Sequence, residues 1–432
     1  MQQLNVLHIN KFHYLRGGSE TVYFETAHLL ETHGHKSIFF SMRHPENIIC
    51  DTSNYFISYI DLNKINNVVD CIKTAGRVLY SLEAKKCLSQ LLKDKHSVDI
   101  AHLHNIHHQI SPSILHELRK RKLPIVMTLH DYKMVCASYN MLVHERPCEV
   151  CARGKFYKAI IHKCLKGSFF KSTLSSIEMY LHHRVIDIYD NVDIFISPSI
   201  FLKDKLREMG FRKEIVYLPN FIDIHKFDEF KIEVDKDGND NEISLVYFGR
   251  LTHGKGLVTL LEAAKLLSHR NRNNKIQIKI IGDGLLREEL QRKVKTEGIS
   301  NVRFFGYMKG KALYQEIKKS LAAILPSEWY ENSPMSVIEA FVFSKPVIGA
   351  RIAGIPELVR DNETGLTVEP GNIEDLSLKI EYLVNNPDKT AEMGENARRF
   401  VEQNLNAEKY YQELTEIYKR AIQKKTFKKI DL

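Results

Sequence analysis

Short apolar runs rich in Val, Ile, Leu and Phe recur along this chain, and most are followed by a stretch with helical spacing. In the first half they are Val6–Ile9, Lys36–Phe40, Val98–Leu103, Pro124–Leu129, Val192–Ser197 and Ile215–Leu218, with helical spacing between them, as over Thr21 to Glu31. Several runs are continuous rather than alternating, which is what strands covered on both faces require. The rhythm restarts at Ser244–Phe248 and continues through Ile276–Ile281, Val302–Phe305, Ala322–Leu325, Pro346–Gly349 and Leu366–Val368. Strand-then-helix alternation repeated in this way predicts an α/β chain with two Rossmann-like parallel sheets, each binding ligands at the carboxyl ends of its strands.

A length of 432 residues accommodates two such domains. We place the first at 1–220 and a polar linker at 221–242, where Asp237-Gly238-Asn239-Asp240 has turn chemistry. The second domain is placed at 243–405, and a final helix, about Glu408 to Gln423, with the basic tail KKTFKKIDL at 406–432. A hydrophobic content of 44% and a charged content of 27% are those of a soluble globular protein. No apolar run reaches the length of a membrane span, and the opening MQQLNVLHIN lacks the regions of a signal peptide, so a cytoplasmic location is expected. The net charge of +9 suits an anionic partner: nucleotide phosphates, lipid headgroups or nucleic acid. No basic recognition helix or aromatic stacking platform accompanies it, so nucleic acid is not the expected partner.

The segment from Ile324 to Pro356 concentrates the chemistry. Its strand closes at Pro326-Ser327, and a helix is predicted to follow, with Ser333 as its cap and Pro334 in its first turn. The unpaired N–H groups and positive dipole end of such a helix make an anion site. Glu331 stands before that helix and Glu339 inside it. By themselves the two are better read as a solvated loop charge and a surface helix residue.

Other strand ends carry polar groups. Gly17-Gly18 in KFHYLRGGSE allows close backbone approach, with Ser19 able to cap the next helix, although the pair is not a dinucleotide fingerprint. AHLHNIHH places His102 and His104 on one side of a strand, without the carboxylate or cysteine that a metal site would use. His130-Asp131 closes another strand, with Asp131 a candidate to orient His130. FGRLTHGKG brings Arg250 and Lys255 onto one loop, a planar fork and a point charge suited to a diphosphate. Gly282-Asp283-Gly284 and Phe305-Gly306-Tyr307 follow two further strands.

Taken together, Glu331-x7-Glu339 beside Arg250-x4-Lys255 resembles the retaining glycosyltransferases of the GT-B fold, family 4 in particular, including those that build bacterial surface polysaccharides. The resemblance covers nearly the whole chain and is densest from Ser244 to Gly371. It implies two Rossmann-like domains facing a central cleft. Glu331 would contact the donor sugar, the amides of Asn332, Ser333, Pro334 and Met335 would hold sugar and diphosphate, and Glu339 would hold the ribose. Arg250 and Lys255 would stabilise the leaving diphosphate. Gly17 and Gly18 would face it, Gly282, Gly306 and Tyr307 would lie by the nucleotide, and His130 would touch the sugar near its 6-position.

Cys136, Cys148, Cys151 and Cys164 fall in a loop-rich insert at about 132–170, with a C-x-x-C pair flanked by one cysteine on each side. The spacing fits a closed tetrathiolate zinc site, a structural rather than catalytic metal, with unliganded thiols and a redox pair as the competing readings. Basic and aromatic residues alternate from Lys155 to Arg184. Since acceptors in this family are often lipid-linked, this stretch is read as a peripheral contact with anionic membrane lipid.

The function expected is transfer of a sugar, with retention, from a UDP- or GDP-linked donor to a glycan or lipid-linked acceptor in polysaccharide synthesis. The site has cations where metal-dependent transferases hold an ion and carries no D-x-D motif, so no catalytic cofactor is expected. The alternatives are a GT-B nucleotide-sugar epimerase and a non-catalytic nucleotide- or nucleic-acid-binding zinc protein.

Overall fold

A computed structural model describes residues 2–61, 68–95, 97–228, 242–270 and 275–427. The chain divides into two compact units. The first comprises Met1–Met141, Glu149–Pro219 and Glu408–Leu432, and the second Leu142–Cys148 and Asn220–Ala407.

The strands, in chain order, are β1 (Asn5–Ile9), β2 (Lys36–Phe40), β3 (Ile100–Leu103), β4 (Ile125–Thr128), β5 (Leu142–Val143), β6 (Arg146–Pro147), β7 (Ile194–Ser197) and β8 (Ile215–Tyr217). They continue as β9 (Glu242–Phe248), β10 (Lys275–Ile281), β11 (Val302–Gly306), β12 (Ala322–Leu325), β13 (Val347–Ala350) and β14 (Gly365–Val368). Every apolar run singled out above becomes a strand, with ends shifted by at most two residues. The antiparallel pair β5–β6, two residues a strand, is too short to leave a pattern in the sequence and was not anticipated.

The first sheet runs β2-β1-β3-β4-β7-β8 and the second β11-β10-β9-β12-β13-β14, and all their pairings are parallel. Central strands β3, β4, β7, β12 and β13 are buried at every residue, whereas the edges β2 and β8 keep partly exposed positions. The continuous apolar runs are therefore strands sandwiched between helices. In the first sheet the strand order reverses between β1 and β3, and in the second between β9 and β12. A parallel sheet opens a crevice at the carboxyl ends of its strands where that reversal occurs.

The helix Ala407–Phe427 buries Tyr410, Leu414, Ile417, Tyr418 and Ala421, one stripe at helical spacing. Within the first unit, Tyr410 meets Thr26 at 3.2 Å and Tyr418 meets His102 Nδ1 at 2.7 Å through their hydroxyls, and Tyr411 stacks on His33. No helix among the described residues is long and apolar enough to cross a membrane. The linker core at 229–241 and the tail at 428–432 lie outside the described residues.

Candidate active site

In the second unit, β9 and β12 deliver their loops to the reversal point of the sheet. β9 ends at Phe248, and the loop after it carries Gly249, Arg250 and Lys255 before the helix Leu257–Arg270. Two backbone approaches need glycine here. A Cβ on Gly256 would lie 1.8 Å from the Pro326 carbonyl oxygen, and one on Gly282 would lie 1.9 Å from that of Gly249. Both have positive φ. The loop Gly282-Asp283-Gly284 is thereby joined to the Arg250 loop, with Leu251 N–H donating to the Asp283 carbonyl at 2.9 Å. Gly282 N–H donates to Gly306 at 2.7 Å, and the neighbouring Tyr307 is 65% exposed.

Lys255 meets Glu331 at this point. Its Nζ donates to Glu331 Oε1 at 2.5 Å, and the same oxygen accepts from Trp329 Nε1 at 2.7 Å and Ser327 Oγ at 2.9 Å. Lys255 also lies 5.4 Å above the Trp329 ring. Burial pushes the Glu331 carboxyl up, but the Lys255 charge and the three donors outweigh it and hold the group below the usual carboxylate range. Glu331 is therefore ionised at neutral pH. Arg250, by contrast, is exposed and pairs with no acidic side chain among the described residues.

The helix after Glu331 runs Met335–Val342, and its cap is Pro334 rather than Ser333. Pro334 itself is extended, at φ −70° and ψ 115°, so the first helical residue is Met335. Pro334 has no N–H, so the expected row of amides from Asn332 to Met335 is broken at that position. The amides of Ser333, Met335 and Ser336 have no acceptor among the described residues and point an anion-binding end at the crevice. Ser333 is held through its carbonyl, which accepts from Asn220 Nδ2 at 3.1 Å. Glu339, half-buried on this helix, has no hydrogen-bond partner among the described residues, and burial pushes its carboxyl up to about 7.

In the first unit, Gly17 itself is the extended cap of the helix Gly18–Thr32. Ser19, expected to cap, instead lies inside the helix and donates to Glu20 Oε1 at 3.1 Å. The Gly18 and Ser19 amides have no acceptor among the described residues. Asn10 bridges the ends of β1 and β3, its Oδ1 accepting from Asn105 N–H at 3.1 Å.

At the end of β4, His130 Nε2 lies 2.9 Å from His104 Nδ1, with the rings stacked. Asp131, proposed above to orient His130, instead accepts from the Lys133 amide at 2.9 Å. The strand ends at Thr128, so His130 and Asp131 lie on the loop after it, where Asp131 serves the backbone of its own turn. Behind this edge lies an ion pair that the sequence did not announce. Lys133, 1% exposed, donates to Glu178 at 2.7 Å, and His108 lies 3.2 Å from the same carboxylate oxygen.

Among the described residues, no disulfide joins Cys136, Cys148, Cys151 or Cys164. Among the described residues, the one group of three or more ligand-type side chains with donors within 4.8 Å of one another is His8, His102 and His104, not the cysteines. The expectation of a tetrathiolate thus rests on sequence spacing.

Sequence reasoning gave Ser327 and Trp329 no part in the site and did not join His104 to His130, although these three hold Glu331 and His130. Trp329 is the only tryptophan in the chain and stands two residues from Glu331, which was an available signal.

Residues 16–226 match the family model Glycosyltransferase Family 4, and residues 228–400 match Glycosyl transferases group 1. Alpha-D-kanosaminyltransferase of Streptomyces kanamyceticus is 28% identical over 164 residues, 38% of this chain and 42% of that protein. A Campylobacter jejuni alpha-1,4-N-acetyl-D-galactosaminyltransferase, named for an undecaprenol-linked glycan acceptor, is 33% identical over 173 residues, 39% of this chain and 46% of that protein. The chain thus spans less than half the length of either relative. Among solved structures, a glycosyltransferase of Rickettsia africae superposes with a TM-score of 0.68 at 20% identity, covering 98% of this chain and 99% of that one. Anabaena Alr3699/HepE, solved in complex with UDP and glucose, superposes with a TM-score of 0.66 at 16% identity, covering 97% and 100%. With family models matched along nearly its whole length and the two parallel sheets of the fold in place, this chain belongs to the family 4 type of GT-B glycosyltransferases.

Proposed function

We propose that the chain is a retaining hexosyltransferase that moves a sugar from a nucleoside diphosphate sugar, UDP- or GDP-linked, to a glycan or lipid-linked acceptor. The observation that carries this reading is the convergence of Arg250, Lys255, Glu331 and the open amides after Glu331 at the reversal point of one sheet. Support also comes from the relative named for an undecaprenol-linked acceptor and from the structural neighbour that holds UDP and glucose.

Breaking the anomeric C–O bond places positive charge on the sugar and negative charge on the departing diphosphate. Arg250 presents its planar fork to that diphosphate. Lys255 spends one of its three N–H donors on Glu331, which leaves two for phosphate oxygens. The amides of Ser333, Met335 and Ser336 add a fixed positive end, and in this reading Gly17 and Gly18 supply the corresponding amides of the first unit. Glu331 Oε1 is saturated by Lys255, Trp329 and Ser327, so Oε2 is the oxygen available to sugar hydroxyls. Glu339 accepts from the ribose, and His130 contacts the sugar. Cations do the work of a divalent ion, so catalysis is metal-independent. Retention follows from same-face attack, with the acceptor proton passing to the leaving phosphate. The four cysteines are assigned a structural zinc, for which zinc content of wild type and Cys148→Ser is the measure; a folded, zinc-free wild type rules it out. The lysines and aromatics of 155–184 are assigned to anionic lipid, and equal sedimentation with neutral and anionic vesicles would remove that assignment.

Calorimetric titration with UDP, GDP and ADP in the presence of a chelator tests the donor site. Selective binding of one nucleotide is expected. Folded protein that binds none of the three would overturn the reading.

A further inference from the structure

The histidine at the end of β4 does not stand alone, and its partner decides what it can do. His104 is fully buried, and its Nδ1 is 2.9 Å from His130 Nε2. A neutral imidazole carries one N–H and one lone pair, so one ring must donate across this contact and the other accept. If His130 donated from Nε2, His104 would carry its own proton on Nε2. That atom is buried with no partner, and an orphaned buried N–H is costlier and rarer than an under-used acceptor. If His104 donates from Nδ1 instead, only a lone pair is left without a partner in the interior.

We propose that His104 is a positioning residue that locks His130 in the tautomer protonated on Nδ1, making His130 an obligate hydrogen-bond donor to the bound sugar. The lone pair on Nε2 is occupied by His104 and the Nδ1–H is the one group left to reach a ligand, since no hydrogen bond ties Nδ1 among the described residues. His130 is then no general base for the acceptor hydroxyl, because it has no accessible lone pair. The group it recognises is an oxygen acceptor on the sugar, a hydroxyl or a carboxylate. Burial also keeps the ring from being protonated near neutrality, holding it down to about 4.

The part of this inference that concerns the ligand rests on the donor-site reading of His130, whereas the tautomer does not. It can be read in ligand-free protein by long-range 1H–15N correlation on 15N-histidine-labelled chain, with the His130 signals identified by their loss in His130→Gln. The expected spectrum has a pyrrole-type Nδ1 and a pyridine-type Nε2 for His130, unchanged between pH 6 and pH 8. In His104→Leu the ring should revert to the Nε2–H form that free imidazole side chains prefer, with kcat/KM lower by about ten-fold or more, the loss of one well-aimed hydrogen bond. Asparagine places an N–H near the Nδ1 position of histidine, so His104→Asn should retain the Nδ1–H tautomer and stay within a few-fold of wild type. An Nε2–H His130 in wild type, or an Nδ1–H ring that persists in His104→Leu, overturns the proposal. If His104→Leu does not fold, the wild-type spectrum and His104→Asn still decide, because an Asn variant with the Nε2–H tautomer contradicts the lock. A normal donor KM and kcat in His130→Gln, with the tautomer as expected, would instead refute the sugar contact and leave the lock standing.

Discussion

The two units carry sheets of the same architecture but have opposite interiors. The second packs Leu, Ile, Val and Ala from both sides of its sheet, and none of its histidines is buried. The first buries His8, His102, His104, Lys133 and Glu178 among its strands and helices, each at 1% exposure or less. The second unit thus rests mainly on apolar burial, with Lys255–Glu331 as its buried charge pair, and the first stakes more of its stability on keeping buried histidines neutral. The difference predicts that the units fail under different conditions.

Acid should separate them most. Burial holds His8 and His183 down to about 3 and His13 and His130 down to about 4, against an ordinary value of 6.5. These folded values lie below the unfolded one, so the contribution is complete above pH 6.5 and drains away as the pH falls toward the folded values. A histidine held at about 4 withholds about 3 kcal/mol once the solution is more acidic than both values. Several such groups are enough to unfold a unit of ordinary stability. The histidines of the second unit are His144, His225, His253 and His269, none of them buried. Trp329, the only tryptophan, reports on that unit alone. In an acid titration, helical ellipticity should fall between about pH 6 and pH 4 before Trp329 fluorescence changes. A Trp329 transition that comes first, or none of either kind above pH 4, would break the comparison.

The second unit should respond instead to loss of charges at its loops, and two cations there should behave differently. Arg250→Ala removes an exposed, unpaired guanidinium, so the melting temperature should hold while kcat falls about 100- to 1000-fold, the scale of one transition-state donor. Lys255→Ala should cost a similar factor and also about 3 kcal/mol of stability, because it leaves the Glu331 carboxylate without its cation. Equal thermal stability of the two variants would mean that the Lys255–Glu331 pair is not a structural bond. Near-normal turnover of Arg250→Ala would remove the leaving-group role.

How much could be read beforehand follows the same division. The aliphatic strands of both units were legible because a strand covered on both faces has to be continuously apolar, and Val192–Ser197 or Ala322–Leu325 can be little else. Glu331, Lys255 and Arg250 were legible because they sit on loops directly after such strands. What stayed hidden is tertiary pairing. Nothing local says that the His104 ring reaches His130, that Lys133 finds Glu178 from 45 residues away, or that three donors converge on one oxygen of Glu331. The cap at Pro334 was misplaced by one residue because Ser-Pro reads as cap and first turn. Proline fixes φ but leaves ψ free, and the extended ψ of Pro334 moved the start to Met335.

Glu339 offers a finer test, with pH again as the variable but the opposite sign from the histidines. Burial raises its carboxyl from 4.5 to about 7, so the protonated group's contribution to stability is complete below 4.5 and is lost as the pH rises through about 7. A ribose that donates hydrogen bonds favours the ionised form. Nucleotide affinity should therefore climb between pH 6 and pH 8 and then level off. Glu339→Gln should flatten that profile and weaken binding about ten-fold, the value of a hydrogen bond to a charged group. A wild-type profile already flat over this range would put the ribose elsewhere.

The smallest effect sharpens the point about convergence. Ser327 is one of three donors on Glu331 Oε1, and its hydroxyl is neutral and buried. Ser327→Ala should cost about 1 kcal/mol, since Lys255 and Trp329 still satisfy the oxygen and keep the carboxylate charged. Turnover should drop by only a few-fold, with the nucleotide affinity unchanged because Ser327 touches the group assigned to the sugar and not the one assigned to the ribose. Trp329→Phe removes a donor of similar strength together with the cation–π contact to Lys255, so it should lose more than Ser327→Ala and less than Lys255→Ala. That graded order is what a carboxylate held by a charged donor, a ring donor and a hydroxyl requires. If Ser327→Ala proved as damaging as Lys255→Ala, the hydroxyl would be acting on substrate directly, and the Lys255–Glu331 pair would not be the centre of the site.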